Sequence, residues 1–407
     1  MLGESGTVTH TGEFPRKRKG GQMARKGAAH PPVIPIAERD EWSKRLREIA
    51  STPLLFCEDF PRIAKRYEAW WNQEVLDRPV FAAAVPLDPA GTLPSRLELL
   101  DHPEEWFEAT LADMKATRWI GDALPNIRVN FGPVMLGGLL GADTEFGAGT
   151  TWTHAFIRDD WSNAPDWDIR EDTRFWKLLV RLMRMVSEDA SGRYLVRTPD
   201  LGGSADVLLN LRGSGELCVD VLEKPDVVRA AVDAIYPSWR KGFTELYRVA
   251  LSHGAGLIHW IGMWSDESYM IPACDFGYLI GPQPFERVFL ADIARQAATA
   301  GRAVFHLDGP GSTRHLDALL DIPEMRAIQY VPGAGTPSAL PWVDMLRRIQ
   351  DRGRSLVVCC EPSEVLRLCE VLKPEGLMFT PAGGDGWDRI DDVFAAFSRR
   401  FGCKVKT

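Results

Sequence analysis

The chain has no CxxC pair, and no window of it approaches the ~20 consecutive apolar residues that a membrane span needs. Its 7 cysteines, Cys57, Cys218, Cys274, Cys359, Cys360, Cys369 and Cys403, are scattered without a paired spacing. That pattern excludes a zinc ribbon, a thioredoxin-type redox pair and a disulfide framework. An odd count without an export signal fits reduced thiols in a cytoplasm. No GxGxxG follows the first apolar run, and the glycine-rich turns "GGSADVLLNLRG" and "GPGSTRH" lack both the dinucleotide spacing and the P-loop lysine. Charge of one sign is not concentrated either: the formal balance is −8, with basic residues interspersed among acidic ones. The main body therefore carries no footprint for nucleic acid or for an anionic membrane.

What is present is a globular composition, 407 residues with 45% apolar and 26% charged. That length suits one large α/β barrel or two smaller domains. The stretch "EFPRKRKGGQMARKGAAHPP" is basic, rich in Gly and Pro, and without an apolar core, so it is not a secretory signal. Residues 1–40 are expected to be a disordered basic tail, with translation beginning either at Met1 or at Met23. An N-terminal helical segment is expected over 41–77 and a single barrel domain over 78–407.

Eight short apolar runs follow, most of them ended by Gly, Pro or Asp. They are "RPVFAAAVP" from Arg78, "ALPNIRVNFG" from Ala123, "RYLVRTPDLGG" from Arg193, "AGLIHWIGMW" from Ala255, "RAVFHLDG" from Arg302, "RAIQYVPGAG" from Arg326, "SLVVCCEP" from Ser355 and "GLMFTPAGG" from Gly376. Their apolar character is nearly continuous, as for strands buried on both faces. Segments with helical spacing separate most of them, for example "PFERVFLADIARQAATAG" and "PWVDMLRRIQDRG". Strand alternating with helix implies a parallel sheet, and eight such strands imply a (β/α)8 TIM barrel with an N-terminal extension. In that fold the chemistry sits at the C-terminal ends of the strands.

The fifth run carries the most pointed signal. His306 and Asp308 stand two apart just before Gly309, so both side chains leave the same face of the strand. Two readings fit: a functional pair that ligates metal or exchanges protons, or a buried His–Asp hydrogen bond that holds the turn.

These stretches resemble the uroporphyrinogen decarboxylase superfamily, which also holds the corrinoid- and zinc-dependent methyltransferases. The resemblance rests on "YEAWWNQEVLDRPV", "NFGPVMLGGLLG", "PDLGGSADVLLNLRG", "CDFGYLIGPQPFERVFL", "FHLDGPGSTRHLDALLDIPEMRAIQYVPGAG" and "GLMFTPAGG", from about Arg62 to the C-terminus. The block containing "HLDGPG" is similar to an uncharacterised branch described as trimethylamine-corrinoid-protein-like. The resemblance implies a TIM barrel, methyl transfer to or from a small molecule, a zinc ion and a corrinoid protein as partner. It also marks departures. The family's His-x-Cys pair is His306 and Asp308 here, and Gly383 stands near the position of its last-strand cysteine. The decarboxylases' arginine pair after the first strand is missing, and Asn130 replaces their aspartate after the second.

The candidate catalytic residues are therefore His306, Asp308, Asp200 and Glu361, all at strand ends. A metal would be held by His306 and Asp308 with Cys360 completing the set. Substrate contacts are expected from Arg212, Trp260, Trp264, Asp275 and Asn130. Trp260 and Trp264, four apart, would share a strand face and wall a pocket, or else pack in the core. Arg212 would fork onto a substrate anion or pair with Asp206, itself a helix cap. Three functions fit: a methyltransferase, a lyase or decarboxylase using His–Asp acid–base chemistry, and a ligand-binding barrel without turnover. The expected partners are a small molecule, a corrinoid protein and a second copy in a homodimer.

Overall fold

Among the described residues, eleven strands and the helices between them make up an α/β architecture. The computed structural model describes residues 34–86, 96–133, 135–146, 151–158, 160–333, 335 and 338–404. Residues 1–33 of the expected tail lie outside the described residues, but its last part does not: a helix begins at Ile36 and runs to Ala50.

Each of the eight apolar runs contains one strand. The strands are β1 (Val80–Val85), β2 (Arg118–Gly121), β3 (Asn126–Arg128), β4 (Asp143–Phe146), β5 (Thr151–His154), β6 (Leu195–Arg197), β7 (Leu257–Ile258), β8 (Ala303–Asp308), β9 (Met325–Val331), β10 (Ser355–Cys360) and β11 (Leu377–Pro381). Three of these, β2, β4 and β5, fall outside the eight runs; β2 pairs antiparallel with β1, and β4 with β5. The others pair only in parallel with one another. Hydrogen-bonded ladders join β2-β1-β11-β10-β9-β8 into one sheet and β3-β6-β7 into another. The segment after β7 returns to the larger sheet through isolated parallel bridges, Met270 with Ala303 and Ala273 with His306.

The helices cover the sheets through apolar stripes. In helix Phe60–Trp71 the buried residues Phe60, Ile63, Ala64, Tyr67, Trp70 and Trp71 recur at helical spacing. Trp70 and Trp71 donate their indole N–H groups to the carbonyls of Leu356 (3.2 Å) and Trp264 (2.9 Å), so both serve packing. Helix Pro225–Ser252 presents Tyr236, Trp239, Phe243 and Tyr247, whose rings follow one another at 6.0, 5.2 and 5.0 Å. Trp42 of the first helix stacks on Tyr247 at 4.7 Å.

Two polar centres lie inside this packing. Asp122 is fully buried and accepts from Arg66, from Arg78 (2.6 and 3.1 Å) and from the Phe81 N–H (2.9 Å). Arg66 also forks onto Asp77, at 2.7 and 2.8 Å. The second centre is His259, buried just after β7, with Nδ1 2.9 Å from Thr198 Oγ1 and Nε2 3.2 Å from the Tyr247 hydroxyl. Burial pushes the His259 imidazole down to about 3, so it is neutral in the folded protein.

Replacing Asp122 with Asn should cost about 3–5 kcal/mol, because it leaves two buried guanidiniums short of their counter-charge; urea denaturation measures it. His259 gives a pH signature. Its unfolded form takes up a proton below about 6.5 and its folded form does not, so stability falls as pH drops from 6.5 toward 3. The His259→Gln protein should lose stability less steeply over that window, by up to about 1.4 kcal/mol per pH unit. Equal slopes in the two proteins would show that His259 takes up its proton in the folded state.

Candidate functional site

Strand β8 carries His306 and Asp308 on one face. A 3-10 turn, Asp275–Leu279, brings Asp275 to the same place. Its position is set by backbone: the His306 N–H donates to the Pro272 carbonyl at 2.9 Å, and Ala273 bridges to His306. One ring nitrogen of His306 and one oxygen from each of Asp275 and Asp308 lie within 4.8 Å of one another. His306 and Asp308 are half-buried and Asp275 is exposed.

The imidazole is oriented by its neighbours on β9 to β11. His306 Nδ1–H donates to Gln329 Oε1 at 2.7 Å, and Gln329 Nε2–H donates to Cys359 Sγ at 3.5 Å. Cys359 Sγ meets Thr380 Oγ1 at 3.1 Å. With Nδ1 engaged, Nε2 is the nitrogen left for a ligand or a proton. The Trp260 ring meets His306 edge-on at 4.9 Å, which limits its rotation from the other side. The group orienting the imidazole is thus an amide, not the Asp308 carboxylate expected of a His–Asp acid–base pair.

The turns after β3 and β6 carry two more of the expected residues, Asn130 and Asp200. Asn130 Oδ1 accepts the Gly132 N–H (3.1 Å) and Asp200 Oδ1 accepts the Gly202 N–H (2.8 Å), so both side chains brace their own turns. Helix Ser204–Arg212 starts earlier than expected, with Gly203 at its N-cap. Asp206 does not cap it; it accepts the Phe276 N–H at 2.9 Å and thereby ties the helix to the turn bearing Asp275. Burial and the neighbouring Asp275 charge raise the Asp206 carboxyl above its ordinary range. Desolvation also raises Asp275; His306 opposes that, while Asp308 and Asp200 add to it. Two carboxylates and one imidazole therefore share a small volume, with Asp200 and Asp206 acting on it electrostatically, an arrangement that favours a bound cation.

Four expected residues lie elsewhere. Cys360 is next to Cys359 on a strand, so its side chain leaves the opposite face, where it is buried near Glu364 and Cys369. Glu361 caps the short turn Pro362–Glu364, where its carboxylate and that of Glu364 each accept a backbone N–H of the other's end. Trp264 is fully buried against Phe60, ring centroids 5.0 Å apart. It shares no face with Trp260, because β7 ends at Ile258 and Gly262, at φ +79°, turns the chain. Arg212 pairs with Asp220 (2.8 Å) instead of Asp206, and lies over Trp161 at 5.7 Å.

Sequence reasoning missed Gln329, Arg128 and Arg197. Gln329 interrupts the apolar run of β9, and Arg128 and Arg197 are charged residues ending β3 and β6; those positions were the available signal.

No protein-family model matches the chain, and no curated protein matches it by sequence. Solved structures do: 22 chains are similar in fold. One is a methyltransferase from Methanosarcina mazei, with 14% sequence identity and a TM-score of 0.55 over 83% of this chain and 98% of that one. At that identity the likeness establishes a shared α/β fold. Among the described residues no helix is long and apolar enough to cross a membrane.

A Cβ added at Gly203 would stand 2.0 Å from the Ala273 carbonyl oxygen, whereas one at Gly215 meets nothing within 4 Å. Gly203→Ala should therefore push away the segment that carries Asp275 and cost about 1–3 kcal/mol, with Gly215→Ala neutral or slightly stabilising. Thermal denaturation of both variants checks the contrast.

Proposed function

We propose that the eight parallel strands form a (β/α)8 barrel, and that the chain is an enzyme transferring a methyl group to or from a small molecule. In this reading Asp275, His306 and Asp308 hold a divalent metal, and a corrinoid protein is the partner in transfer. The observation that carries it is the convergence of three ligand atoms within 4.8 Å at strand ends. Catalytic zinc sites use three protein ligands and keep one position open. Ligand atoms of such a site stand about 3.4 Å apart, so about 1 Å of side-chain movement would close this one. One nitrogen and two oxygens suit zinc, and the carboxylates also admit manganese. The family's thiolates are replaced by oxygen: Asp308 takes the place of one, and Asp275 comes from a different strand end altogether.

When bound, the metal supplies Lewis acidity at the substrate heteroatom that gains or loses the methyl group. The protein's own contribution is orientation. Gln329 fixes the imidazole through Nδ1, which leaves Nε2 as the nitrogen for a ligand. Trp260 walls the site beside His306 and keeps solvent from that edge. Asp206 and Gly203 hold the Asp275 turn in place.

Metal analysis of the purified protein is expected to show about one zinc or manganese per chain, lost in His306→Ala and Asp275→Ala. Gln329→Met should weaken metal affinity about 10–100-fold in a chelator competition while leaving the fold intact. A protein that binds neither ion, or a His306→Ala variant that keeps it, would refute the metal site. Metal-loaded protein should also demethylate methylcobalamin in the presence of a thiol, followed by its visible spectrum. Full metal occupancy without that turnover would remove the methyl-transfer reading.

A further inference from the structure

Two guanidinium groups face the site and have no role in the reading above. Arg128 ends β3 and Arg197 ends β6, and they are direct partners in the parallel ladder. Partnered residues on neighbouring strands project from the same face, about 4.8 Å apart. That face is the one bearing the cluster: Arg197 donates Nε–H (2.9 Å) and Nη2–H to the carbonyl of Trp260, whose ring packs on His306. A Cβ at Gly262 would lie 3.6 Å from the Arg197 guanidinium carbon, so the small residue leaves room for it there.

Arg128 and Arg197 are half-buried, and the fully buried arginines among the described residues all have carboxylate partners. Arg66 and Arg78 share Asp122, Arg212 pairs with Asp220, and Arg302 pairs with Asp266 at 2.6 Å. Among the described residues Arg128 and Arg197 have none at ion-pair distance, and Arg128 Nε is buried without a hydrogen-bond partner. Burial disfavours both charges; Asp200 supports Arg128 from a distance, while Arg128 itself acts against Arg197. Two adjacent, partly desolvated cations are costly unless an anion completes them.

We propose that Arg128 and Arg197 together bind a carboxylate of the substrate. The fork geometry of guanidinium matches a carboxylate, and two in register offer a planar anion several parallel donors. Charge balance points the same way. A divalent ion and two guanidiniums exceed Asp200, Asp275 and Asp308 by one charge, which a monoanion neutralises and a phosphate dianion overshoots. Calling the anion a substrate, and counting a divalent ion in the charge balance, rest on the proposed function; the two guanidiniums without a carboxylate partner do not.

The test uses the full-length protein and paired probes, acetate and benzoate against the neutral acetamide and benzamide, with inorganic phosphate as a dianion, at constant ionic strength. The carboxylates should raise the melting temperature above their amides and above phosphate. Arg128→Met and Arg197→Met should bind benzoate about 10–100-fold more weakly by calorimetric titration. Without any anion both variants should melt at or above the wild-type temperature, since each loses an uncompensated cation. Equal shifts from carboxylates and amides, a larger shift from phosphate, or variants that melt well below wild type would each overturn the proposal. Wild-type protein that binds metal but shows no carboxylate preference would refute this inference alone. An arginine-dependent preference that persists in His306→Ala would uphold it even where the metal reading fails.

Discussion

One buried carboxylate organises the framework. Asp122 lies after β2, yet it holds Arg66 of the second helix, Arg78 before β1 and the Phe81 amide within β1. Burying a carboxylate is tolerable only when its oxygens are fully paired, and here two guanidiniums and a backbone N–H do this. Arg78 also stands over Phe394 and Phe397 of the C-terminal helix, at 5.1 and 5.7 Å, so one ion cluster links the helix Phe60–Trp71 and the C-terminal helix to the first strand. With β1 so placed, β11 pairs beside it, and β10, β9 and β8 follow in register.

That register is what assembles the site. His306 lies opposite Gln329 in the β8–β9 ladder, and Cys359 lies opposite Thr380 in the β10–β11 ladder. A slip of one residue would turn each of these side chains to the other face. The bonded row His306–Gln329–Cys359–Thr380 is therefore a consequence of strand pairing, and it sets which imidazole nitrogen faces the mouth. Asp275 and Trp260 reach the same place by another route. They are carried by the irregular segment between β7 and β8, where backbone bridges and the Asp206 contact replace a regular ladder.

The two halves of the site differ in character. The β8–β11 side offers an imidazole, an amide, a thiol and a hydroxyl joined to one another, with the Asp308 carboxylate beside them. The β3–β6 side offers two guanidiniums whose pairing is incomplete. Such a division suits an elongated small molecule, with the reacting atom at one end and a charged handle at the other. Remote binding of the handle is a common means of positioning the reacting atom.

Much of the fold was legible in the sequence, because strands covered on both faces must be continuously apolar and each of the eight such runs contains a strand. The pairing of His306 with Asp308 was legible too, since a period of two is a local property of a strand. Of Cys359 and Cys360 the sequence pointed to Cys360, yet it is Cys359 that faces Gln329 and Thr380, because which of two adjacent strand residues faces the site depends on the strand's neighbours. What the chain could not declare was anything decided by partners distant in sequence. Trp264 left the expected face because β7 stops at Ile258 and a left-handed glycine, Gly262, turns the chain before it; Arg212 found Asp220 rather than Asp206, and Glu361 was taken up in a cap. Asp275 joined His306 only because a backbone bridge brought residues some thirty apart into contact. Local periodicity is encoded residue by residue. The convergence of donors at one point depends on which strands become neighbours, and only the tertiary structure decides that.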